Sequence, residues 1–240
     1  MTRERFLVLK TGSTVAANRH LGDFEDWIAR GLGAPVEVVR AEQNEPLPIA
    51  HDYAGVVVTG SPASVTERAP WMLATGRWMA DAVANDVPLL GICFGHQLLA
   101  EALGGRVVRN PLGREIGTQR IRLLETARTD LLFGALSDEA HLAAQTSHSD
   151  TVEVLPPGAV CLADSPLDRC HAFRARVDRR AWGVQFHPEF DGAVTRGYIV
   201  ERAHAMRTEG LDPDARLAGV TETPRAAGLL SVFADLARLR

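Results

Sequence analysis

The chain has 240 residues, 46% hydrophobic and 23% charged, with a formal net charge of −4. These values are typical of a globular protein, and the slight acidity gives no reason to expect nucleic acid or an anionic membrane as a partner. No run of about 18 apolar residues could span a bilayer. The N-terminus has no signal-peptide pattern, and Cys93, Cys161 and Cys170 are an odd number without CxxC spacing. Together these features favour a cytoplasmic protein without a disulfide framework or a structural zinc site.

The first half of the chain alternates short apolar runs with amphipathic segments. Strands are predicted at residues 6–9, 36–39, 55–59 and 88–92. Helical periodicity occupies residues 20–32 and 70–85. Alternation of strand and helix is typical of a mainly parallel sheet with helices on both faces.

The second half predicts shorter elements with short connections. Strands are predicted at residues 106–109, 119–124, 141–146, 159–163, 171–175 and 181–186. Helices are predicted at 191–208 and 225–239, with a loop around 212–215. We therefore expect an α/β fold with a mainly parallel central sheet, helices on both faces and a small additional antiparallel sheet. Residues 1–240 are expected to form one domain, with 191–240 as a C-terminal helical extension.

Cys93 is the first candidate catalytic residue. An apolar run ends at it, Gly91 and Gly95 flank it, and a helical pattern follows. This layout is typical of a nucleophile elbow, in which glycines allow close backbone approach around a strained residue. A helix N-terminus favours a thiolate, and its free N–H groups can bind an oxyanion.

His187 is the candidate base. The strand predicted at 181–186 leads into it, and Pro188 prevents it from continuing a regular strand or helix. The carboxylate of Glu189 can contact the far ring nitrogen, fix the tautomer and stabilise the imidazolium. Both Cys93 and His187 are predicted at carboxyl ends of strands, which line one crevice in a doubly wound sheet.

An oxyanion site should lie at the same edge. The backbone N–H of Phe94 is one candidate donor. The loop after residues 55–59 is rich in small residues, and we expect the N–H of Ser61 to be the second donor, with Gly60 permitting the turn.

Four segments together resemble the triad-type class I glutamine amidotransferases. Residues 91–97 match the G-x-C-x-G-x-Q elbow, and 186–189 contain the H-P-E motif. Residues 60–62 occupy the place of the oxyanion loop, and 147–150 resemble the S-H-G-D substrate segment. The resemblance is greatest to stand-alone proteins that are similar to the amidotransferase part of GMP synthase, which the turn predicted at 115–117 also fits.

The resemblance implies a chemistry and a set of roles. Cys93 would attack the γ-carbonyl of glutamine, His187 would act as base and acid, and Glu189 would orient it. Water would then resolve a γ-glutamyl thioester. The amino-acid end of the substrate would be bound by the side chain of Gln97 and by backbone groups, and His148 is expected to shape the loop. These backbone groups belong to Ser147, Ser149 and Asp150.

Two departures from the family pattern affect the substrate. Ser61 stands where the oxyanion loop often has glycine, and Ser149 replaces the glycine of the substrate segment. A γ-glutamyl peptide or amine hydrolase with the same triad is therefore the alternative. A catalytically silent regulatory module and a DJ-1-like cysteine protein are less favoured, because Cys93, His187 and Glu189 are all present.

No cofactor or metal site is predicted. His141, His148 and Asp150 match no zinc spacing, and the glycines form no phosphate loop. An amidotransferase of this kind would therefore need a separate synthetase or acceptor subunit to use its ammonia, whereas a hydrolase needs only its small-molecule substrate. The basic stretch between Arg106 and Arg122 is interpreted as a solvated strand face, and docking of a partner or of an anionic substrate is the alternative.

Overall fold

The computed structural model describes residues 4–136 and 138–239, and a nine-stranded sheet forms its centre. Its parallel half has the order β2-β1-β3-β4-β11. The strands are β1 (Phe6–Lys10), β2 (Val36–Arg40), β3 (Val56–Val58), β4 (Leu89–Ile92) and β11 (Ala181–Val184).

The sheet continues from β11 through four antiparallel strands in the order β10-β9-β6-β7. These are β6 (Glu115–Leu123), β7 (His141–His148), β9 (Val160–Asp164) and β10 (Ala172–Arg174). A separate two-stranded antiparallel sheet pairs β5 (Arg106–Arg109) with β8 (Asp150–Val154). The expected combination of a parallel sheet and a smaller antiparallel sheet is therefore confirmed.

Six α-helices cover the sheet in the described part of the chain. They are α1 (Phe24–Leu32), α2 (Pro70–Ala84), α3 (Phe94–Ala102), α4 (Gly192–Thr208), α5 (Pro213–Ala218) and α6 (Pro224–Arg238). None of the described helices is both long and apolar enough to cross a bilayer.

The two faces of the sheet carry separate apolar clusters, because successive strand residues point to opposite sides. On β1, Phe6 and Val8 belong to the cluster that contains α1 and α6, whereas Leu7 and Leu9 belong to the cluster that contains α2 and α3. All four side chains are fully buried. This two-sided burial explains why the parallel strands are continuously apolar in sequence.

Several predicted boundaries change. A short 3₁₀ helix occupies Ala16–Leu21, and α1 begins only at Phe24, after Asp23, whose side chain takes part in a capping box. Residues 115–117 lie inside β6 rather than in a turn. Strand β8 follows β7 almost directly, and the prediction omitted it.

The loop predicted around 212–215 is wrong, because α5 begins there. Asp212 caps the helix by accepting hydrogen bonds from the N–H groups of Asp214 and Ala215. Pro213 takes the first helical position, where its missing N–H costs nothing. Asp followed by Pro is thus a helix start at this site.

Strand β11 ends two residues earlier than predicted, and this brings His187 to its place. After Val184, the N–H of Gln185 bonds to the carbonyl of His171. The N–H of His187 then bonds to the carbonyl of Gln145 at 2.8 Å, a bridge to β7. The chain therefore leaves its parallel pairing with β4 just before the histidine.

Substitution of Gly95 tests how closely α3 must approach the sheet. A Cβ at this position would lie 2.4 Å from the carbonyl oxygen of Val58. We expect Gly95→Ala to lower the free energy of unfolding by about 1–3 kcal/mol, because backbone must move to accept the methyl group. Urea denaturation provides the measurement.

Gly228→Ala is the matched control. Gly228 lies in α6, and a Cβ there would meet nothing within 4 Å. That variant should be more stable than the wild type by about 0.5–1 kcal/mol. Equal effects of the two substitutions would contradict the close approach at Gly95.

Candidate active site

Cys93 lies at the junction of β4 and α3 in a strained backbone conformation. Its φ is 52° and its ψ is −100°, and it is the N-cap residue of α3. A positive φ is uncommon for a residue with a side chain and costs energy that the surroundings must supply. Here the N–H of Cys93 donates to the carbonyl of Val184 at 2.8 Å, which extends the pairing of β4 with β11.

The flanking glycines have the predicted close contacts. A Cβ at Gly91 would lie 2.4 Å from the carbonyl oxygen of Gly95. Gly95 itself touches Val58, and its N–H donates to the carbonyl of Thr59. Neither glycine has a positive φ, so both are required for space and the strain is concentrated in Cys93.

The thiol of Cys93 and the imidazole of His187 are both buried and lie side by side. Burial alone would raise the pKa of the thiol, but the charge of His187 and its hydrogen bond lower the pKa below its ordinary value. For His187, burial opposes the charge, whereas Glu189 and Cys93 raise the pKa well above its usual range. The two shifts favour a thiolate–imidazolium pair.

Glu189 orients the histidine. Its Oε1 lies 2.7 Å from Nδ1 of His187, so that Nε2 is the nitrogen available to the thiol. Both side chains are almost fully buried. The predicted contact between residues 187 and 189 is therefore present in the structure.

An aromatic stack supports the imidazole, and sequence reasoning did not anticipate it. The ring of Phe190 is parallel to His187, with centroids 3.9 Å apart, and Tyr198 of α4 stacks on Phe190 at 4.9 Å. Phe24 of α1 stacks on the same histidine at 6.4 Å. Phe190 follows the H-P-E motif directly, which is the one signal of this stack in the sequence.

The structure places the two predicted oxyanion donors beside the thiol. Phe94 begins α3, and Ser61 lines the same cavity as Cys93. Neither backbone N–H has an acceptor among the described residues. Thr11 fixes the loop, because its hydroxyl lies 3.0 Å from the carbonyls of Thr59 and Gly60.

Gly60 has a different role from the one predicted. Its φ is not positive, so the turn does not require glycine. A Cβ at this position would instead lie 3.1 Å from Cε1 of His187 and 3.4 Å from the ring of Phe24. Glycine is needed here because the loop passes close to the imidazole of His187.

A cavity of about 140 Å³ adjoins Cys93 and is lined by the predicted substrate segment. Gln97 donates from Nε2 to the carbonyl of Asp150 at 3.1 Å and to Oε1 of Gln185 at 2.9 Å. Both amide hydrogens are thus used within the protein, and the side-chain oxygen is oriented by them. The remaining predicted residues on the cavity wall are Ser147, His148 and Ser149.

His148 is part of a buried charge cluster under this cavity. Its Nδ1 lies 3.0 Å from the carbonyl of Asp150, and its Nε2 lies 3.0 Å from Oε2 of Glu115. Both oxygens can only accept hydrogen bonds, so both ring nitrogens carry hydrogen and the ring is positively charged. Burial alone would lower the pKa of His148, but Glu115 and Asp168 raise it to about 8.

Glu115 is the centre of this cluster, and its role was not predicted. Burial opposes its charge, yet hydrogen bonds from His148 and His171 hold its pKa well below the usual range. His171 Nε2 lies 2.6 Å from Oε2, and the hydroxyl of Ser165 donates to Oε1 at 2.9 Å. His148 therefore contacts the carbonyl of Asp150 and adds a positive charge near Cys93.

Glu115, His148 and His171 also have the composition of a metal site, with ligand atoms within 4.8 Å of one another. Their nitrogen–oxygen distances of 2.6 and 3.0 Å correspond to direct hydrogen bonds. A metal ligand nitrogen would lie about 2.0–2.1 Å from the ion and would carry no hydrogen. The arrangement fits a hydrogen-bonded cluster better than a metal centre.

His96 does not take part in the chemistry. It is fully buried against Phe173 and Gly183, and burial lowers its pKa to about 3. A neutral imidazole in this position packs α3 on the sheet.

A larger cavity, of about 670 Å³, is not lined by Cys93. It is lined by residues that precede the parallel strands, including Pro35, Ala54, Pro88 and Arg180. It is thus at the amino-terminal edge of the sheet, whereas ligands in open α/β sheets bind at the carboxyl edge. The smaller cavity is lined by Cys93 and by the other candidate site residues.

Comparisons with known proteins agree with this geometry. The family model for class-I glutamine amidotransferases matches residues 25–205. One subunit of the glutamine-hydrolysing GMP synthase of Methanopyrus kandleri is 33% identical over 159 residues, which are 66% of this chain and 78% of that protein. The GMP synthase of Shewanella amazonensis is 37% identical over 143 residues, or 56% of this chain. This match covers 25% of the length of the Shewanella protein.

Solved structures show the same fold. A glutamine amidotransferase from Thermotoga maritima superposes with a TM-score of 0.77 over 100% of both chains, at 22% identity. A second, from Methylobacillus flagellatus, has a TM-score of 0.70 at 25% identity and covers 99% of this chain and 93% of its own. The predicted fold class is confirmed.

The charge cluster under the cavity gives a stability prediction. At pH 6 we expect Glu115→Gln to lower the free energy of unfolding by about 3–5 kcal/mol, because it removes the carboxylate that is hydrogen-bonded to the buried His148 imidazolium. The stabilisation from His148 is complete below its ordinary pKa of 6.5 and is lost as the pH rises through about 8. The loss of unfolding free energy in Glu115→Gln should therefore be smaller at pH 9 than at pH 6. Urea denaturation at both pH values provides the measurement.

Glu125→Gln is the control for this prediction. The Glu125 side chain is 88% exposed and pairs only with Arg128, so its loss should change stability by less than about 0.5 kcal/mol at either pH. A deficit for Glu115→Gln that is the same at pH 6 and pH 9 would contradict a charged His148.

Proposed function

Since the chain belongs to the class-I glutamine amidotransferase family, we propose that it hydrolyses the γ-glutamyl amide of glutamine through a thioester on Cys93. The observation that carries this proposal is the pairing of a strained, buried thiol with an imidazole whose far nitrogen contacts Glu189 at 2.7 Å. The curated relatives are named as glutamine-hydrolysing enzymes, which supports the same substrate for this chain.

In the first half of the reaction, the Cys93 thiolate attacks the γ-carbonyl carbon and the carbonyl oxygen becomes an oxyanion. The free N–H groups of Phe94 and Ser61 are placed to bind it. When the tetrahedral intermediate collapses, the carbon–nitrogen bond breaks and the His187 imidazolium gives its proton to the leaving nitrogen. Ammonia departs, and neutral His187 faces the γ-glutamyl thioester.

The second half uses the same groups in reverse. His187 removes a proton from water as the water oxygen attacks the thioester, and the oxyanion site is used again. Collapse breaks the carbon–sulfur bond, releases glutamate and restores the thiolate–imidazolium pair. Glu189 stabilises the imidazolium in both halves and keeps Nε2 directed at the reaction.

Binding of the amino-acid end is proposed for the cavity wall. The oriented side-chain oxygen of Gln97 is placed to accept from the substrate ammonium group. Backbone groups of Ser147, Ser149 and Asp150 complete the site, and the His148 imidazolium holds the carbonyl of Asp150 in position. We further propose that residues 1–240 act as one domain extended by 191–240, and that a synthetase or acceptor partner uses the ammonia, as the subunit name of the Methanopyrus relative suggests.

Replacing the nucleophile tests the proposed reaction. Cys93→Ala should release no glutamate from glutamine above background, because no thioester can form. Cys161→Ala should keep the wild-type rate, since Cys161 hydrogen-bonds to backbone carbonyls at 3.5 Å and does not line the cavity. Coupled assay of glutamate release is the measurement, and turnover by Cys93→Ala would exclude the proposed mechanism.

A further inference from the structure

Two buried polar atoms beside Cys93 have no hydrogen-bond partner among the described residues. They are Nε of Arg202, on α4, and the hydroxyl of Ser147, at the end of β7. Both residues line the cavity described above and a narrow recess that continues from it. Buried donors without partners are costly in a folded protein and are frequent where a ligand supplies the missing contact.

The charge of Arg202 is also uncompensated. Of the three arginines on the cavity wall, Arg114 makes two hydrogen bonds to Glu209, at 2.7 and 2.8 Å. Arg109 lies 3.6 Å from Glu209 and 3.8 Å from Asp150. Arg202 has no carboxylate within ion-pair distance in the described chain, and burial and the neighbouring Arg114 both lower its pKa.

Because His187 lines the recess, we assign the recess to the leaving-group side of the thiol. It is lined by His187, which protonates the departing nitrogen in the proposed mechanism, and by Tyr198, one helical turn before Arg202. Gln97, Ser149 and Asp150, which are proposed to bind the amino-acid end, line only the other part of the cavity, whereas Arg202 and Ser147, whose backbone is proposed to bind that end, line both parts. A group attached to the leaving nitrogen would therefore extend towards Arg202.

We propose that Arg202 and Ser147 form a subsite for a carboxylate on the leaving amine, so that γ-glutamyl amino acids and short γ-glutamyl peptides are substrates. This proposal rests on the proposed γ-glutamyl chemistry and specifies its substrate class. A carboxylate matches the planar donor edge of a guanidinium, and the Ser147 hydroxyl adds a second donor. The covalent steps are unchanged, except that an amino acid leaves in place of ammonia.

Comparison of three substrates distinguishes the effect of this subsite from the effect of the hydrolysis steps. γ-Glutamylglycine and γ-glutamylethylamide differ only in the carboxylate of the leaving amine, and glutamine has no leaving-group substituent. We expect the wild type to prefer γ-glutamylglycine to the ethylamide by about 10- to 100-fold in kcat/KM, as for a charge-assisted contact. Arg202→Gln should abolish this preference and leave glutamine and the ethylamide nearly unchanged, whereas Arg202→Lys should retain part of it.

Arg207→Gln is the matched control, because Arg207 is an exposed residue on the same helix. It should leave all three rates unchanged. Binding of γ-glutamylglycine to Cys93→Ala, with and without Arg202→Gln, provides a calorimetric readout without turnover. Thermal unfolding of each variant shows whether it is folded. If Arg202→Gln is not folded, the calorimetry is carried out with Arg202→Lys instead.

The outcomes separate the two proposals. If Arg202→Gln lost activity on all three substrates to the same degree, Arg202 would bind the γ-glutamyl part that they share. That result would overturn the subsite. Hydrolysis of glutamine without preference for γ-glutamylglycine would overturn the subsite and keep the proposed function. Absence of Cys93-dependent glutamate release from any of them would overturn both.

Discussion

The hydrogen bond from Cys93 N–H to the carbonyl of Val184 is the constraint on which the site depends. It continues the in-register parallel pairing of Gly91 with Gly183 and of Ile92 with Val184. Three residues after Val184 the chain reaches His187, whose own N–H is held by Gln145 of β7. Backbone hydrogen bonds of one sheet thus position Cys93 and His187, and they fix the distance between the two side chains.

Two buried charge systems stand on this frame and act on the same thiol. His187 and Glu189 form the first, and the aromatic stack keeps the imidazole in one plane. His148 and Glu115 form the second, and the charge of His148 also lowers the pKa of Cys93. A carboxylate neutralises each imidazolium, so the thiolate is stabilised without an isolated buried charge.

Much of this could be predicted from sequence because its determinants are local. Apolar runs of strand length, the Gly–Cys–Gly spacing around residue 93 and the H-P-E motif at 187–189 led to the fold class, the family and the triad positions, of which the fold class and the family are confirmed. The helix at 213–218 was missed because Asp-Pro also occurs in turns. Glu115, His171 and Arg202 were missed because they reach the site only through antiparallel strands and a helix that are distant in the chain. No local pattern reports such pairings.

The most direct test of the account is the pH dependence of Cys93 alkylation by iodoacetamide, with the modified peptide identified by mass spectrometry. Cys93 should remain reactive below the ordinary thiol pKa of 9.0, with its inflection at lower pH, and His187→Gln should move the inflection upward. An inflection at or above 9.0 in the wild type, unchanged in His187→Gln, would contradict the thiolate–imidazolium pair and the mechanism built on it.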